Sequence, residues 1–153
     1  MSGLQNRSGH GNVHKSLEVR DRDDILTAMQ MTRTLAEELG FSAEETLFLQ
    51  LATEEACTNA HDYGTLEQSG YFEIKWRADT PTIEIVICQE SRMFDVDLSA
   101  QAALAEGGDV TRGRGLVLIT GIMDELHLSR SGTRVELTMR KTRKLPGNAT
   151  SKP

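Results

Sequence analysis

The chain has 153 residues, 38% of them apolar and 26% charged, with a net charge of −6. This is the balance of one globular domain with a sizeable core, and it excludes a global basic field that would draw in nucleic acid or anionic lipid. No apolar run approaches the length of a membrane span, and the polar N-terminus lacks the pattern of a signal peptide. A cytoplasmic protein is therefore expected, with Cys57 and Cys88 as reduced core thiols rather than a disulfide or a metal pair.

Residues 1–14, rich in Gly, Ser, Asn and His, have no period and read as a flexible tail in which His10 and His14 are solvated. The folded domain is expected over residues 15–141, and residues 142–153 read as a second tail. Ser16–Arg20 alternates and is a short strand candidate. A helix follows, with acidic residues at its start, Ile25, Met29, Thr32, Leu35 and Leu39 along one face, and Gly40 as its stop. Ser42 and Glu45 form a capping box, so a second helix should run from near Ala43 to about His61.

Two strands come next. One places Phe72, Ile74 and Trp76 on one face, the other Ile83, Ile85 and Ile87. After an irregular stretch, Leu116, Ile119, Met123 and Leu126 recur at helical spacing. The chain closes with a hairpin turning at Ser131-Gly132, with Val135, Leu137 and Met139 inward. The fold class expected from this order is α+β: a two-layer sandwich with helices on one face of a mixed, mostly antiparallel sheet.

Two stretches carry chemistry. On the second helix Leu47, Phe48, Leu51 and Ala52 form an apolar line, and steps of four from Leu51 reach Glu55 and then Asn59. An ionised carboxylate on a buried line is costly unless it is paired or opens into a wet cavity. Either the helix end emerges into water, or the line opens into a pocket where Glu55 is a base and Asn59 a ligand. The second stretch is Thr111, Arg112, Gly113, Arg114 and Gly115, immediately before an apolar helix. Glycines let backbone N–H groups approach an anion, and a helix N-terminus carries partial positive charge. The alternative there is a plain loop before a helix start.

"EEACTNAHDYG" and "RGRGLVLITGIMDEL" resemble, in that order, the N box and the Gly-rich G2 box of the histidine-kinase-like ATPase superfamily (GHKL). The likeness is narrower to the anti-sigma factor serine/threonine kinases, and it extends from about Ser16 to Lys141. It implies an ATP-binding α/β sandwich of the Bergerat type. Glu55 would be the general base, Asn59 would hold Mg²⁺ on the ATP phosphates, and Gly113 and Gly115 would approach those phosphates, with Thr111, Arg112 and Arg114 beside them. The family's G1 box, Asp-x-Gly-x-Gly, should follow the strand ending near Cys88. Here Gln89 stands for the Asp that meets the adenine amine, and Ser91 and Met93 stand for the glycines. Gln keeps a carbonyl acceptor but is longer and uncharged.

The resemblance implies a Mg-ATP-dependent kinase acting on an anti-anti-sigma (STAS) protein, with a sigma factor as a second partner and a homodimer as the habit of the family. Direct nucleic-acid or membrane binding is not expected. The other reading is a non-catalytic partner-binding module of the same fold that has lost ATP. Residues 99–112, with the Gly107-Gly108 pair, are expected to be mobile without nucleotide and ordered by it.

Overall fold

In the computed structural model, the described residues are 13–67, 71–90 and 114–144. They form β1 (Val13–Val19), α1 (Arg22–Glu38), α2 (Ala43–Glu67), β2 (Phe72–Asp79), β3 (Thr82–Glu90), α3 (Arg114–Ile122), β4 (Glu125–Ser131) and β5 (Arg134–Thr142). The sheet order is β1-β2-β3-β5-β4, and every described pairing is antiparallel. The expected element order and two-layer architecture are present. The stretch at 91–113, which includes the expected mobile residues 99–112, lies outside the described residues.

Helix ends follow local chemistry. The Asp21 side chain accepts from the Asp24 N–H at 3.1 Å and starts α1. At the other end Phe41 N–H bonds Ala36 O and Gly40 N–H bonds Glu37 O, each within 3.1 Å. This is a Schellman close, and it needs Gly40 at φ +88. The Ser42/Glu45 box forms reciprocally: Glu45 N–H bonds Ser42 Oγ at 3.0 Å, and Ser42 N–H bonds Glu45 Oε1 at 3.3 Å.

Three boundaries differ from the sequence reading. β1 starts at Val13, because Val13 and His14 already pair with Ala78 and Arg77. α2 continues past His61 to Glu67. α3 ends at Ile122, so Leu126 belongs to β4 despite its helical spacing. The reason for the last is capping: Lys141 Nζ donates to Ile122 O at 3.1 Å, and Asp124 N–H bonds Arg140 O at 2.9 Å. A cation at a helix C-terminus also meets the negative end of the helix dipole.

The core lies between the helices and one sheet face. Val19, Ile74, Trp76, Ile83, Ile85 and Met139 meet Ala28, Leu35, Leu49 and Ile119, all at 2% exposure or less. α2 packs on α1 at one side and on α3 at the other, above β2 and β3. The open sheet face carries charge: Glu84 lies 3.7 Å from Arg77 and 3.2 Å from Arg140.

One buried polar chain crosses this core. Trp76 Nε1–H donates to Thr32 Oγ1 at 2.9 Å, and Thr32 and Thr53 hydroxyls meet at 2.9 Å. Thr53 Oγ1 donates to Leu49 O at 2.8 Å. Since the Thr53 proton is taken by Leu49, Thr32 must be the donor to Thr53, and every hydroxyl proton has an acceptor. Burying these groups is tolerable only because the chain is complete. Thr32→Val leaves the Trp76 indole N–H without an acceptor, at a cost of about 1–3 kcal/mol. Thr32→Ser keeps the hydroxyl and loses one methyl, about 1 kcal/mol. Urea unfolding of both variants measures the difference; equal losses would show that the hydroxyl is not used.

Candidate functional site

The inward face of α2 is not the apolar line read from the sequence. Leu47 and Phe48 are exposed, at 61% and 41%. The buried residues are Thr46, Leu49, Ala52, Thr53, Ala56, Cys57 and Ala60. Small side chains there let α2 approach both the sheet and α1, whereas the bulkier Leu47 and Phe48 fall outside that contact. Glu55 and Asn59 therefore do not continue a buried stripe. Both are half-buried and lie at its margin.

Their direction follows from what the rest of the helix touches. α2 meets α1 through Thr53, bonded to Thr32, and through Gln50 Nε2, which donates to Met29 O at 3.3 Å. At 3.6 residues per turn, Phe48, Glu55 and Asn59 fall on the opposite flank. α3 also packs on α2. α3 ends against Lys141, and α1 ends against Arg143, whose Nε donates to Leu39 O at 2.9 Å. α2 starts at that end of the sheet, a few residues after Leu39, and reaches Gln89 at the other end. The C-terminal half of α2 and the start of α3 thus lie towards the end of the sheet where Gln89 pairs with Val135.

Gln89 is 9% exposed and faces the helices from β3. Its Nε2 donates to Ala60 O at 3.0 Å. A carbonyl facing a carbonyl would repel, so the amide nitrogen is the group turned to Ala60. The residue in the adenine-reading position thus makes a protein contact, one residue from Asn59. Glu55, Asn59 and Gln89 are brought to one region by α2 and β3. Ser91, Thr111, Arg112 and Gly113 lie outside the described residues. Arg114 and Gly115 form the first turn of α3.

The chemistry available is acceptor chemistry. Neither Glu55 nor Asn59 bonds another described side chain. A carboxylate and an amide oxygen on one helical flank suit a proton acceptor and a hard-cation ligand. Among the described residues no three His, Cys, Asp or Glu cluster, so a cation held by Asn59 would take its other ligands from phosphate and water. Cys57, between these two in sequence, is not a nucleophile: it faces the core, and burial pushes its thiol up to about 12. A polar hollow of about 240 Å³ lies on the opposite sheet face, lined by Arg77, Glu84, Glu125 and Arg140. Its arginines are already paired with Glu84, and Arg140 also with Glu125, so it offers no uncompensated cation.

The sequence reading missed Thr53, Trp76 and Ala60 as supports of this region. Thr32 and Trp76 are placed by the sequence on the inward faces of α1 and β2, but nothing in the sequence pairs them.

The chain is similar to known proteins in sequence and in fold. The family model for the histidine kinase-like ATPase domain matches residues 19–141. The chain is 29% identical over 118 residues to the serine-protein kinase RsbW of Bacillus licheniformis, covering 68% of this chain and 70% of that one. It is also 29% identical, over 117 residues, to the protein of the same name from Bacillus subtilis, with the same coverage. The fold resembles a chain in the crystal structure of the SiaB-SiaC complex from Pseudomonas aeruginosa, at a TM-score of 0.65 and 12% identity, over 92% of this chain and 94% of that one. At that identity the likeness speaks for the fold alone.

The Gln89–Ala60 contact has a pH signature. In Gln89→Glu the protonated carboxyl still donates to the Ala60 carbonyl, whereas the ionised form is repelled by it and desolvated. The folded-state pKa is then raised above the ordinary Glu value of about 4.3. The variant keeps its stability below that ordinary value and loses it as pH rises through the folded-state value. Thermal melts against wild type between about pH 4 and about pH 8 measure the divergence; parallel curves would mean that Ala60 does not hold the amide.

Proposed function

The chain belongs to the histidine kinase-like ATPase family, in the branch of the anti-sigma serine kinases, and on that premise we propose that it is a partner-switching regulator that phosphorylates a Ser or Thr of a STAS-type protein with Mg-ATP. The observation that carries the reading is the shared flank of Glu55 and Asn59. Both are half-buried, both lack a protein partner among the described residues, and both lie on the flank of α2 opposite to its contact with α1. The residues fit the nucleotide and metal that the family implies. Asn59 would hold Mg²⁺, which when bound neutralises charge on the phosphates.

Phosphoryl transfer is largely positioning and charge neutralisation. Glu55 accepts the proton of the incoming hydroxyl as its oxygen bonds the γ-phosphorus and ADP leaves. The first turn of α3, with Arg114 and Gly115, would offer backbone N–H groups to phosphate oxygens, and in this reading Thr111, Arg112 and Gly113 would join it. In this reading Gln89, joined by Ser91, would meet the base. In this reading the protein is cytoplasmic, acts as a homodimer and binds a sigma factor as its second partner.

One observation favours a second reading. The amide nitrogen of Gln89 is engaged by Ala60, so the adenine position is partly occupied by a contact within the protein. A partner-binding module without ATP would keep the fold and this contact. Calorimetric titration of ATP, with and without Mg²⁺, separates the readings: Mg-dependent binding supports the kinase, and no binding supports the module.

Glu55→Gln keeps the shape and removes the base. It should leave Mg-ATP binding nearly intact while transfer to a purified STAS protein falls by roughly 10²–10⁴-fold. Asn59→Ala should weaken both. Unchanged transfer in Glu55→Gln, at a melting temperature near wild type, would remove Glu55 from catalysis.

A further inference from the structure

We propose that Thr53 is a positioning residue: its hydroxyl, locked into the Trp76–Thr32–Thr53–Leu49 chain, sets the rotation of α2 and so aims Glu55 and Asn59. The inference rests on the kinase reading for what the aim is used for, but not for the aim itself. Glu55 lies two residues beyond Thr53 on the helix, and Asn59 six. Ala60, held by Gln89 at 3.0 Å, lies one residue beyond Asn59. The two candidate groups thus lie between two points at which α2 is tied to the rest of the molecule by hydrogen bonds.

The ties differ in kind. Gln89 holds a backbone carbonyl, which fixes height above the sheet but little of the rotation. Thr53 is held through its side chain, on the flank opposite to Glu55 and Asn59, to a partner on α1 that is itself held by the indole of β2. A side-chain tie on one flank resists rotation of the helix about its axis. Between Leu49 and the end of this face the buried residues besides Thr53 are Ala52, Ala56, Cys57 and Ala60, all small, and small side chains specify rotation weakly. The hydroxyl chain supplies the directional term that these contacts lack. Thr53 also bonds Leu49 O on its own helix, a geometry that bends helices slightly and acts within the two turns before the site.

Two variants test this on the whole chain: Thr53→Val, which keeps the shape and removes the hydroxyl, and Thr53→Ser, which keeps the hydroxyl. In the first arm, ¹H–¹⁵N spectra are recorded without nucleotide. Thr53→Val should shift the side-chain amide of Asn59 together with the indole N–H of Trp76, the single tryptophan of the chain. Thr53→Ser should leave both near their wild-type positions. In the second arm, at a temperature where all three proteins are folded, Mg-ATP affinity should fall roughly tenfold in Thr53→Val and recover in Thr53→Ser. An Asn59 amide that does not move in a folded Thr53→Val overturns the proposal, whether or not nucleotide binds. If Thr53→Val does not fold, Thr53→Ser and Thr32→Ser carry the first arm, and an Asn59 shift in either that exceeds the Trp76 shift overturns it. Wild type that binds no Mg-ATP would sink the kinase reading while the spectra still decide the role of Thr53.

Discussion

The indole N–H of Trp76 has to be satisfied inside the core, and the rest of the helix layer is arranged around that requirement. Trp76 is 1% exposed, so water cannot serve it. Its acceptor is a threonine on α1, and that threonine needs an acceptor of its own on α2. The three elements are thereby held in one register by groups that cannot be unpaired cheaply. Apolar packing would accept small slides of one helix past another; a directed chain of hydrogen bonds does not. Each bond contributes only about 0.5–1.5 kcal/mol net, so the gain is less in stability than in uniqueness of arrangement.

β5 plays a matching part at the far end of the sheet. Its Lys141 closes α3, and Arg143, one residue past the strand, closes α1 at Leu39. Both cations meet helix C-termini, where orphan carbonyls and the dipole favour them. The helices are therefore anchored at one end by side chains from a single strand. α2, which lies between the other two, is tied at its middle by Thr53 and near its end by Gln89. The C-terminal half of α2 lies towards the end of the sheet away from those caps, where Gln89 bonds Ala60.

Local chemistry was legible in the sequence; long-range pairing was not. The Ser42/Glu45 box, the Gly40 stop and the alternation of Phe72, Ile74 and Trp76 all act within a few residues, and each formed as expected. The site motif was equally local: Glu55 and Asn59 share a flank because four residues make about one turn. What misled was α2. Leu47 and Phe48 looked like core, but apart from Leu49 the inward face is built of Ala, Thr and Cys, whose weak hydropathy contrast hides the burial. The ties that position the site join residues 29, 44 and 104 apart, for Gln89–Ala60, Trp76–Thr32 and Arg143–Leu39. No periodicity marks such pairs, because they depend on which elements become neighbours.

Gln89 shows why a departure from a family motif does not by itself decide a function. Read as a string, the loss of an acidic residue at the end of β3 looks like loss of the adenine site. In the fold, a carboxylate at this depth would face the carbonyl of Ala60 and be repelled by it, whereas an amide presents a donor to that carbonyl. A primary amide also retains a second N–H and a carbonyl oxygen. Relative to the family motif, the substitution therefore exchanges a carboxylate for a neutral amide that braces α2 next to Asn59. Bracing serves either reading, since a rigid α2 holds a phosphate site and presents a fixed surface to a partner. What distinguishes them is Glu55. A module that only docks does not need a carboxylate one helical turn before Asn59, whereas phosphoryl transfer needs a proton acceptor there. The balance of the two residues is the physical reason for placing the kinase reading first.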